Sequence, residues 1–566
     1  MASSLQRGRL ETPGMGRPGP SPGTGPRHMR CKGRGPESRD FWTPGGRGAA
    51  GVRISDVPGA VAGEGHVLKS VGSNWCVTVV NVAAAYVLTP FTLRTLGDAG
   101  YGTWTLITSI SGYLALLVLG VPMASVRYFA EHVAKGDTRE LNRAIGSCTA
   151  LYLILGGLAL FIGAGLYAFF NLSYDIPTTI RRDADWAFAL TVAYVAVGFV
   201  GMLPEAVLSA HDDFVPRNVA KLAGIVLRVG LTFGLLTWRP TLSVLAFIQL
   251  ACLAFDFILC AWLILRRYPG TRVRLADFDW RLVRNIFSFS VFVLVLNAGA
   301  RLSFQTDSLV IAKFQDVSAI PYFTVANNFV IYLMEFVVAI AAVVMPAATR
   351  LKTQGRAAEL RETFLKWSKI ALSVTLMAGL FLIVLGPRFI AWWIEPEYER
   401  PAGQVLQILM VSYLVFLPVR GVALPILMGL GKPGVPTIGF LIAGVVNLGL
   451  SVALARPLGL AGVALGTAIP NVVYSGVVLV QACRELQTPV ADFLRYVVPR
   501  AVLGALPVLG LLLWFKFGLD VRGIGELTGA GVAMTLLFGW LWVFFVYRND
   551  PYVDLRSRLV GQRGGA

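Results

Sequence analysis

Charge is scarce in this chain. Of its 566 residues, 14% are Asp, Glu, Lys or Arg, where a soluble domain carries about a quarter. Histidine is scarcer still: there are four, none in a His-Glu-x-x-His pattern, so the common metallohydrolase signature is absent. The six cysteines (Cys31, Cys76, Cys148, Cys252, Cys260 and Cys483) include no Cys-x-x-Cys pair. They lie in apolar runs, at the ends of such runs or in the N-terminal tail, which excludes a disulfide framework and a zinc site. No metal or cofactor is expected. A phosphate-binding Gly-x-x-x-x-Gly-Lys-Ser/Thr loop is also missing, since Gly429, Leu430, Gly431 and Lys432 make only a short turn. ATP coupling through such a loop within this chain is therefore not expected.

Hydrophobic residues are abundant, at 55% with a mean hydropathy of +0.65. They fall into runs of about twenty, long enough to cross a bilayer as helices. The chain reads as an all-α polytopic membrane protein with about fourteen transmembrane helices. The first six runs are 71–93, 103–126, 147–170, 186–210, 222–238 and 242–265. The next six are 286–312, 322–346, 370–394, 403–428, 437–455 and 460–482, followed by 501–518 and 526–547. Residues 1–65, rich in Gly, Pro and Arg, have no apolar run and so no signal peptide. They are expected to be a disordered cytoplasmic tail, or to precede the true start of translation.

The net charge of +18 would suggest nucleic acid as the partner of a soluble protein. Here topology explains it, and no nucleic acid is expected. Loops after the even-numbered runs hold 26 Lys and Arg, against ten on the other side. Basic loops stay cytoplasmic, so both termini are expected there. Trp392 and Trp393, followed by the acidic stretch 395–399, fit an outer interface.

The chain repeats itself with a period near 219 residues. Gly136, Glu140 and Leu141 recur as Gly355, Glu359 and Leu360. Arg228-Val-Gly-Leu-Thr232 matches Asn447-Leu-Gly-Leu-Ser451 at the same offset. The stretch from Leu96 to Trp104 faces that from Phe314 to Tyr322 at an offset of 218. Six spans is an even number, so such a period gives two parallel six-helix lobes with a cavity between them. The expected division is a tail at 1–65, an N-lobe at 66–265, a C-lobe at 266–482, and two extra C-terminal helices with a tail at 483–566.

Leu96-Gly97-Asp98-Ala99-Gly100-Tyr101-Gly102, then Leu119-Gly120-Val121-Pro122, Arg127-Tyr128 and Lys135-Gly136-Asp137, carry a family likeness. This opening resembles that of the polysaccharide-transporter flippases, the O-antigen and teichoic-acid exporters of the multidrug/oligosaccharidyl-lipid/polysaccharide superfamily. With span number and repeat, the resemblance covers residues 68–547. It implies a non-enzymatic transporter in the bacterial plasma membrane that moves polyprenyl-pyrophosphate-linked glycans between leaflets by alternating access of two lobes. Membrane lipids, and other membrane proteins of polysaccharide assembly, are its implied partners. The family has no universal motif for substrate, so no site residue is carried over.

Candidate site residues come from polarity inside the runs. Asn297, Arg301, Gln305 and Ser308 are spaced i, i+4, i+8, i+11 and fall on one face of a continuous helix. An arginine in mid-span is costly in lipid and normally faces a bundle interior. Asn328, Tyr332 and Glu335 form a second stripe, and Asn74, Thr78 and Asn81 a third. These three stripes are expected to border one central cleft. Arg420, one turn after Pro418 and close to Pro425, marks an irregular span. Arginine offers a planar, permanently charged fork for phosphate oxygens, so Arg301 and Arg420 are the candidate anion ligands. Asn, Gln, Ser and Tyr suit sugar hydroxyls. Glu335 and Asp307 are the candidates for ion coupling, and Glu335 could instead neutralise Arg301. Glu205 and Arg228 are expected to form a structural ion pair, with Asp256 near enough to share Arg228.

Two same-fold alternatives remain at this point: an H⁺- or Na⁺-coupled multidrug exporter and a lipid II flippase. A membrane glycan polymerase would need a large outer loop. The longest here, 171–185, is too short for a catalytic domain.

Overall fold

The computed structural model describes residues 64–118, 120–274 and 278–553, with side chains from residue 72 onward except 285–296. The expected tail at 1–65 lies almost wholly outside the described residues, as does the end of the chain. From residue 64 onward the described residues group as one compact unit. Among the described residues there is no strand.

The first half contains α1 (Glu64–Gly112), α2 (Val121–Lys135), α3 (Thr138–Ser173), α4 (Thr178–Ala210), α5 (Phe214–Trp238) and α6 (Leu242–Arg267). The second opens with α7 (Trp280–Phe304), α8 (Thr306–Phe314), α9 (Ile320–Val338), α10 (Ala341–Thr353) and α11 (Ala357–Val384). It continues with α12 (Gly386–Trp393), α13 (Pro401–Pro418), α14 (Leu424–Gly429) and α15 (Gly434–Glu485). Helices α16 (Val490–Phe517) and α17 (Ile524–Leu541) close the fold. Eleven helical stretches among the described residues are long and apolar enough to cross a membrane.

Glycine decides where two of these stretches turn. Expected spans 1 and 2 share α1, which departs from helical geometry at Gly97 (φ 70°, ψ 172°). Expected spans 11 and 12 share α15, broken at Gly459 (φ 60°, ψ −138°). Only glycine adopts such angles without steric cost. The legs of α15 then close on each other through small residues. A Cβ on Gly466 would lie 2.3 Å from Ser451 Oγ, and one on Gly462 would lie 2.1 Å from the Leu454 carbonyl oxygen. Asn447 donates to Thr467 at 3.1 Å further along the same seam. Small residues let helices touch at backbone distance where lipid gives no hydrophobic drive.

Two expectations about helix continuity need correction. The loop expected at 127–146 is mostly helix: α2 runs on to Lys135, and Asp137 caps α3 by accepting from the amides of Arg139 and Glu140. Span 7 is not one helix. Gln305 (φ −118°, ψ −14°) separates α7 from α8, so Ser308 leaves the face shared by Asn297 and Arg301. The Thr306 hydroxyl holds this bend, bonded to the Leu302 carbonyl at 2.9 Å and to Tyr113 Oη at 2.8 Å. The irregularity expected around Arg420 is present, as a π-helical turn at Val419–Ala423.

The 219-residue period has a backbone counterpart. Left-handed Gly136 and Gly355 end α2 and α10, with φ of 66° and 68°. Asp137 donates its amide to the His132 carbonyl, and Arg356 donates to that of Leu351, 219 residues on in both members. Asp212 and Gly431, also left-handed and 219 apart, repeat this. There Asp213 bonds Leu208 and Lys432 bonds Leu427.

Candidate functional site

Polar side chains gather in two places inside the bundle. The first is a cavity of about 670 Å³ between α1, α4, α5, α6 and α9, which includes Asn81, Glu205, Lys221, Arg228, Asp256 and Glu335 in its lining. Three carboxylates face two cations there. Lys221 Nζ lies 2.7 Å from Glu205 Oε2. Arg228 donates through Nη2 to Asn81 Oδ1 at 2.9 Å, while its Nε and Asp256 Oδ1 are buried without a partner among the described residues. Gly224 makes room for Asp256, because a Cβ there would stand 2.2 Å from Oδ1. Tyr332 is within electrostatic reach of Glu335 and Arg228.

The expected Glu205–Arg228 pair is thus replaced by Glu205–Lys221. Helix α5 begins at Phe214, eight residues before the expected span start. Arg228 consequently sits about 12 Å deeper at 1.5 Å per residue, and Lys221, two turns earlier on the same face, meets Glu205. Lys221→Leu is therefore expected to lower the amount of folded protein in the membrane. Adding Glu205→Leu should recover much of it, since removing both members of a half-exposed pair inside the bundle leaves no lone charge within the span. Arg228→Leu should gain nothing from Glu205→Leu; quantitative immunoblotting of the four variants checks both statements.

The second gathering lies in the second half. Asp307, 3% exposed, accepts at both carboxylate oxygens from Thr467 Oγ1 at 3.1 Å. Asn447 donates to Thr467 and to the Ser303 carbonyl, and Ser451 donates to Asn447. Arg420 rises from the π-helical turn between two rings, with its Cζ 5.8 Å from the centre of Phe416 and 5.4 Å from that of Phe440. Its Nε is buried with no partner among the described residues. Arg301 is half-buried beside Tyr113, and no ion pair involves it among the described residues. Arg301 and Glu335 do not pair.

The candidates expected around one cleft are therefore divided. Asn81 and Glu335 line the first cavity, together with the supposed structural charges Glu205, Arg228 and Asp256. Asp307 and Arg420 belong to the second gathering, and Ser308 is buried on α8. Gln305 turns its amide onto Gly112, where a Cβ would lie 2.6 Å from Oε1. Asn297 is exposed and Asn328 is half-buried. Not singled out in the sequence were Lys221, Gln249 and Tyr194, which line the first cavity, and Thr467 and the buried Tyr413, which lie beside Asp307 and Arg420 in the second gathering. The period could have found one pair of these, because Tyr194 and Tyr413 are 219 residues apart.

The two halves meet at the end that carries few cations. Arg94 donates to the Ile394 carbonyl at 2.6 Å, and Lys313 donates to that of Ser173 at 3.0 Å. Asp98 accepts from Tyr322 at 3.1 Å and from Tyr398. Tyr86 stacks on Trp393, ring centres 4.7 Å apart. Gly102 touches the Val317 carbonyl so closely that a Cβ would lie 1.8 Å from its oxygen.

Long apolar helices enclosing charged interiors mark a polytopic membrane protein. The family model for polysaccharide biosynthesis proteins matches residues 67–352, and the chain belongs to that family. A relative in Bacillus subtilis (strain 168), the uncharacterized membrane protein EpsK, is 22% identical over 409 residues, covering 70% of this chain and 79% of that protein. The fold matches an inward-facing multidrug resistance MATE family transporter of the MOP superfamily with a TM-score of 0.63 at 17% identity, over 73% of this chain and 94% of the other. It matches the lipid II flippase MurJ, in an inward closed conformation, with a TM-score of 0.62 at 15% identity, over 84% and 98% of the two chains. The protein is thus a member of the polysaccharide biosynthesis family built on a fold similar to that of MOP-superfamily transporters.

Proposed function

We propose that the protein carries a polyprenyl-pyrophosphate-linked oligosaccharide from the inner to the outer leaflet of the bacterial plasma membrane, without catalysis. The two arginines of the second half carry this reading. Arg301 and Arg420 project inside the bundle, and neither forms an ion pair among the described residues. A permanent cation in a bilayer is unfavourable unless a partner accepts it, and a pyrophosphate supplies oxygens in the geometry that guanidinium prefers. Asn297, Gln305, Ser308, Asn81, Asn328 and Tyr332 are the candidates for sugar hydroxyls. Asp307 and Glu335 are those for a coupling ion.

Alternating access of lobes at 66–265 and 266–482 goes with this reading, helices beyond 483 standing outside the exchange. The cation-rich loops lie in the cytoplasm with both termini, so the contacts of Arg94 and Asp98 form an outer seal. Asp98→Ala removes the acceptor for Tyr322 and Tyr398. Hydrogen bonds to a charged group contribute about 1.5–3 kcal/mol each, so the ratio of outward-open to inward-open protein should rise at least about tenfold. Spin labels at Thr95 and Glu397, in a chain with its cysteines replaced, would report a new long-distance population.

A second reading, an H⁺- or Na⁺-coupled exporter of cationic compounds, draws on the first cavity, where Glu205, Asp256 and Glu335 outnumber Lys221 and Arg228. Lipid II is an alternative glycan substrate on the same fold. Deleting the gene distinguishes export of glycan from export of drugs. Inner-leaflet accumulation of lipid-linked oligosaccharide with unchanged drug resistance supports the proposal; increased drug sensitivity with normal outer-leaflet glycan opposes it.

A further inference from the structure

A further cavity belongs to neither gathering. It measures about 770 Å³ and lies where the linker between α6 and α7 crosses the start of α3, with Arg139, Arg143, Arg272 and Arg274 among its lining residues and Glu140 as the one acid among the described residues of its lining. Arg143 reaches Glu140 at 3.6 Å and Asp279 at 3.4 Å. Arg139, Arg272 and Arg274 meet no carboxylate among the described residues.

The positive-inside tendency accounts for arginines on this side, but it does not account for a walled pocket. The linker is fastened to α3 by one asparagine. Asn142 donates through Nδ2 to the Gly270 carbonyl at 3.0 Å and accepts from the Arg272 amide at 2.8 Å. Thr138 closes from the side, with its Cγ2 3.2 Å from where a Gly270 Cβ would stand. One turn further along, the Asp279 amide donates to Ser147 Oγ at 2.8 Å. The backbone carrying Arg272 is thereby held opposite the helix face carrying Arg139 and Arg143.

Depth indicates what such a pocket takes. Arg143 is the last charged residue before the uncharged run at 144–174, so it stands at the edge of the hydrocarbon. Arg139 is one turn further out, about 6 Å at 1.5 Å per residue. The polar headgroup layer is roughly 5–7 Å thick on each side. Phe278 lines the same pocket and Trp280, 66% exposed, follows it, as aromatic side chains do at headgroup level. We infer that this pocket binds the phosphodiester of an anionic phospholipid headgroup from the leaflet on the arginine-rich side. Inorganic phosphate has the same oxygens but no anchoring at that depth. A bound headgroup would bridge α3 to the linker that joins the two halves.

The test uses the full chain in nanodiscs of phosphatidylcholine mixed with phosphatidylglycerol, followed by native mass spectrometry. The wild type should retain phosphatidylglycerol selectively. The triple variant Arg139→Gln, Arg272→Gln, Arg274→Gln should retain about tenfold less, while keeping its melting temperature in phosphatidylcholine alone. Arg266→Gln, which removes a cation from the same side but outside the pocket, should retain the wild-type amount. Equal retention by wild type and triple variant would overturn the inference. So would a site that millimolar inorganic phosphate fills while phosphatidylglycerol does not.

Discussion

Asp550→Ala should remove most of the folded protein from the membrane. Lys369, 1% exposed, is buried between α11 and the segment after α17, where its ammonium pairs with the Asp550 carboxylate and donates to the Val546 carbonyl at 3.1 Å. Tyr496 Oη donates to the other Asp550 oxygen at 2.7 Å, and the amides of Tyr552 and Val553 follow at 3.1 and 3.2 Å. Burial alone would raise the Asp550 pKa, but the hydrogen bonds from Lys369, Tyr496 and the Tyr552 amide hold it below the usual carboxylate range. Rings of Tyr496 and Tyr547 flank the ammonium, with centres at 4.8 and 5.2 Å. Removing one member of such a pair costs about 3–5 kcal/mol, because the other charge stays buried. That is a large part of the roughly 5–15 kcal/mol that holds a typical protein folded. Lys369→Met combined with Asp550→Leu should recover much of the loss. Thermal unfolding in detergent, read by size-exclusion chromatography, checks both variants. Wild-type stability in Asp550→Ala would show that the pair does not anchor the C-terminal segment.

Arg301→Ala and Arg420→Ala are expected to abolish most transport while leaving the protein in the membrane. Losing a charged hydrogen bond to the substrate costs about 1.5–3 kcal/mol, a fall of roughly 10- to 150-fold in transport at limiting substrate. Arg→Lys at either position should recover only part of this, because an ammonium cannot reproduce the two-pronged contact. Glu335→Ala should leave membrane abundance unchanged, since Glu335 lines the other cavity and does not neutralise Arg301. Reversing the charges of Arg301 and Glu335 together should rescue nothing. An indispensable Glu335 beside a tolerated Arg301→Ala would favour the cation exporter.

Much of the architecture was legible because lipid imposes simple rules. Apolar length marks the spans, and the glycines of the repeated loops mark the turns. The recurrence of Gly136 as Gly355 is readable as letters, and the matching hydrogen bonds of Asp137 and Arg356 show that the letters encode one cap. What failed was depth and phase. Hydropathy put the start of the fifth span at 222, which left Lys221 among the loop cations and brought Arg228 to the level of Glu205. The true start at Phe214 reverses that order. Lys369 was lost in the same way, one residue outside its expected span, and Asp550 lies 181 positions from it in the chain. Spacing along a continuous helix likewise put Ser308 in line with Arg301, because the bend at Gln305 depends on Tyr113, far away in sequence.

The central claim is that this chain moves a pyrophosphate-linked glycan between leaflets, and leaflet-resolved flipping in proteoliposomes tests it most directly. Purified protein would be reconstituted with a polyprenyl-pyrophosphate-linked oligosaccharide, and outer-leaflet sugar followed with an impermeant oxidant or lectin. The expected result is protein-dependent exchange that Arg301→Ala and Arg420→Ala each reduce at least about tenfold. Exchange no faster than in empty liposomes, or an Arg301→Ala protein as active as the wild type, would contradict it.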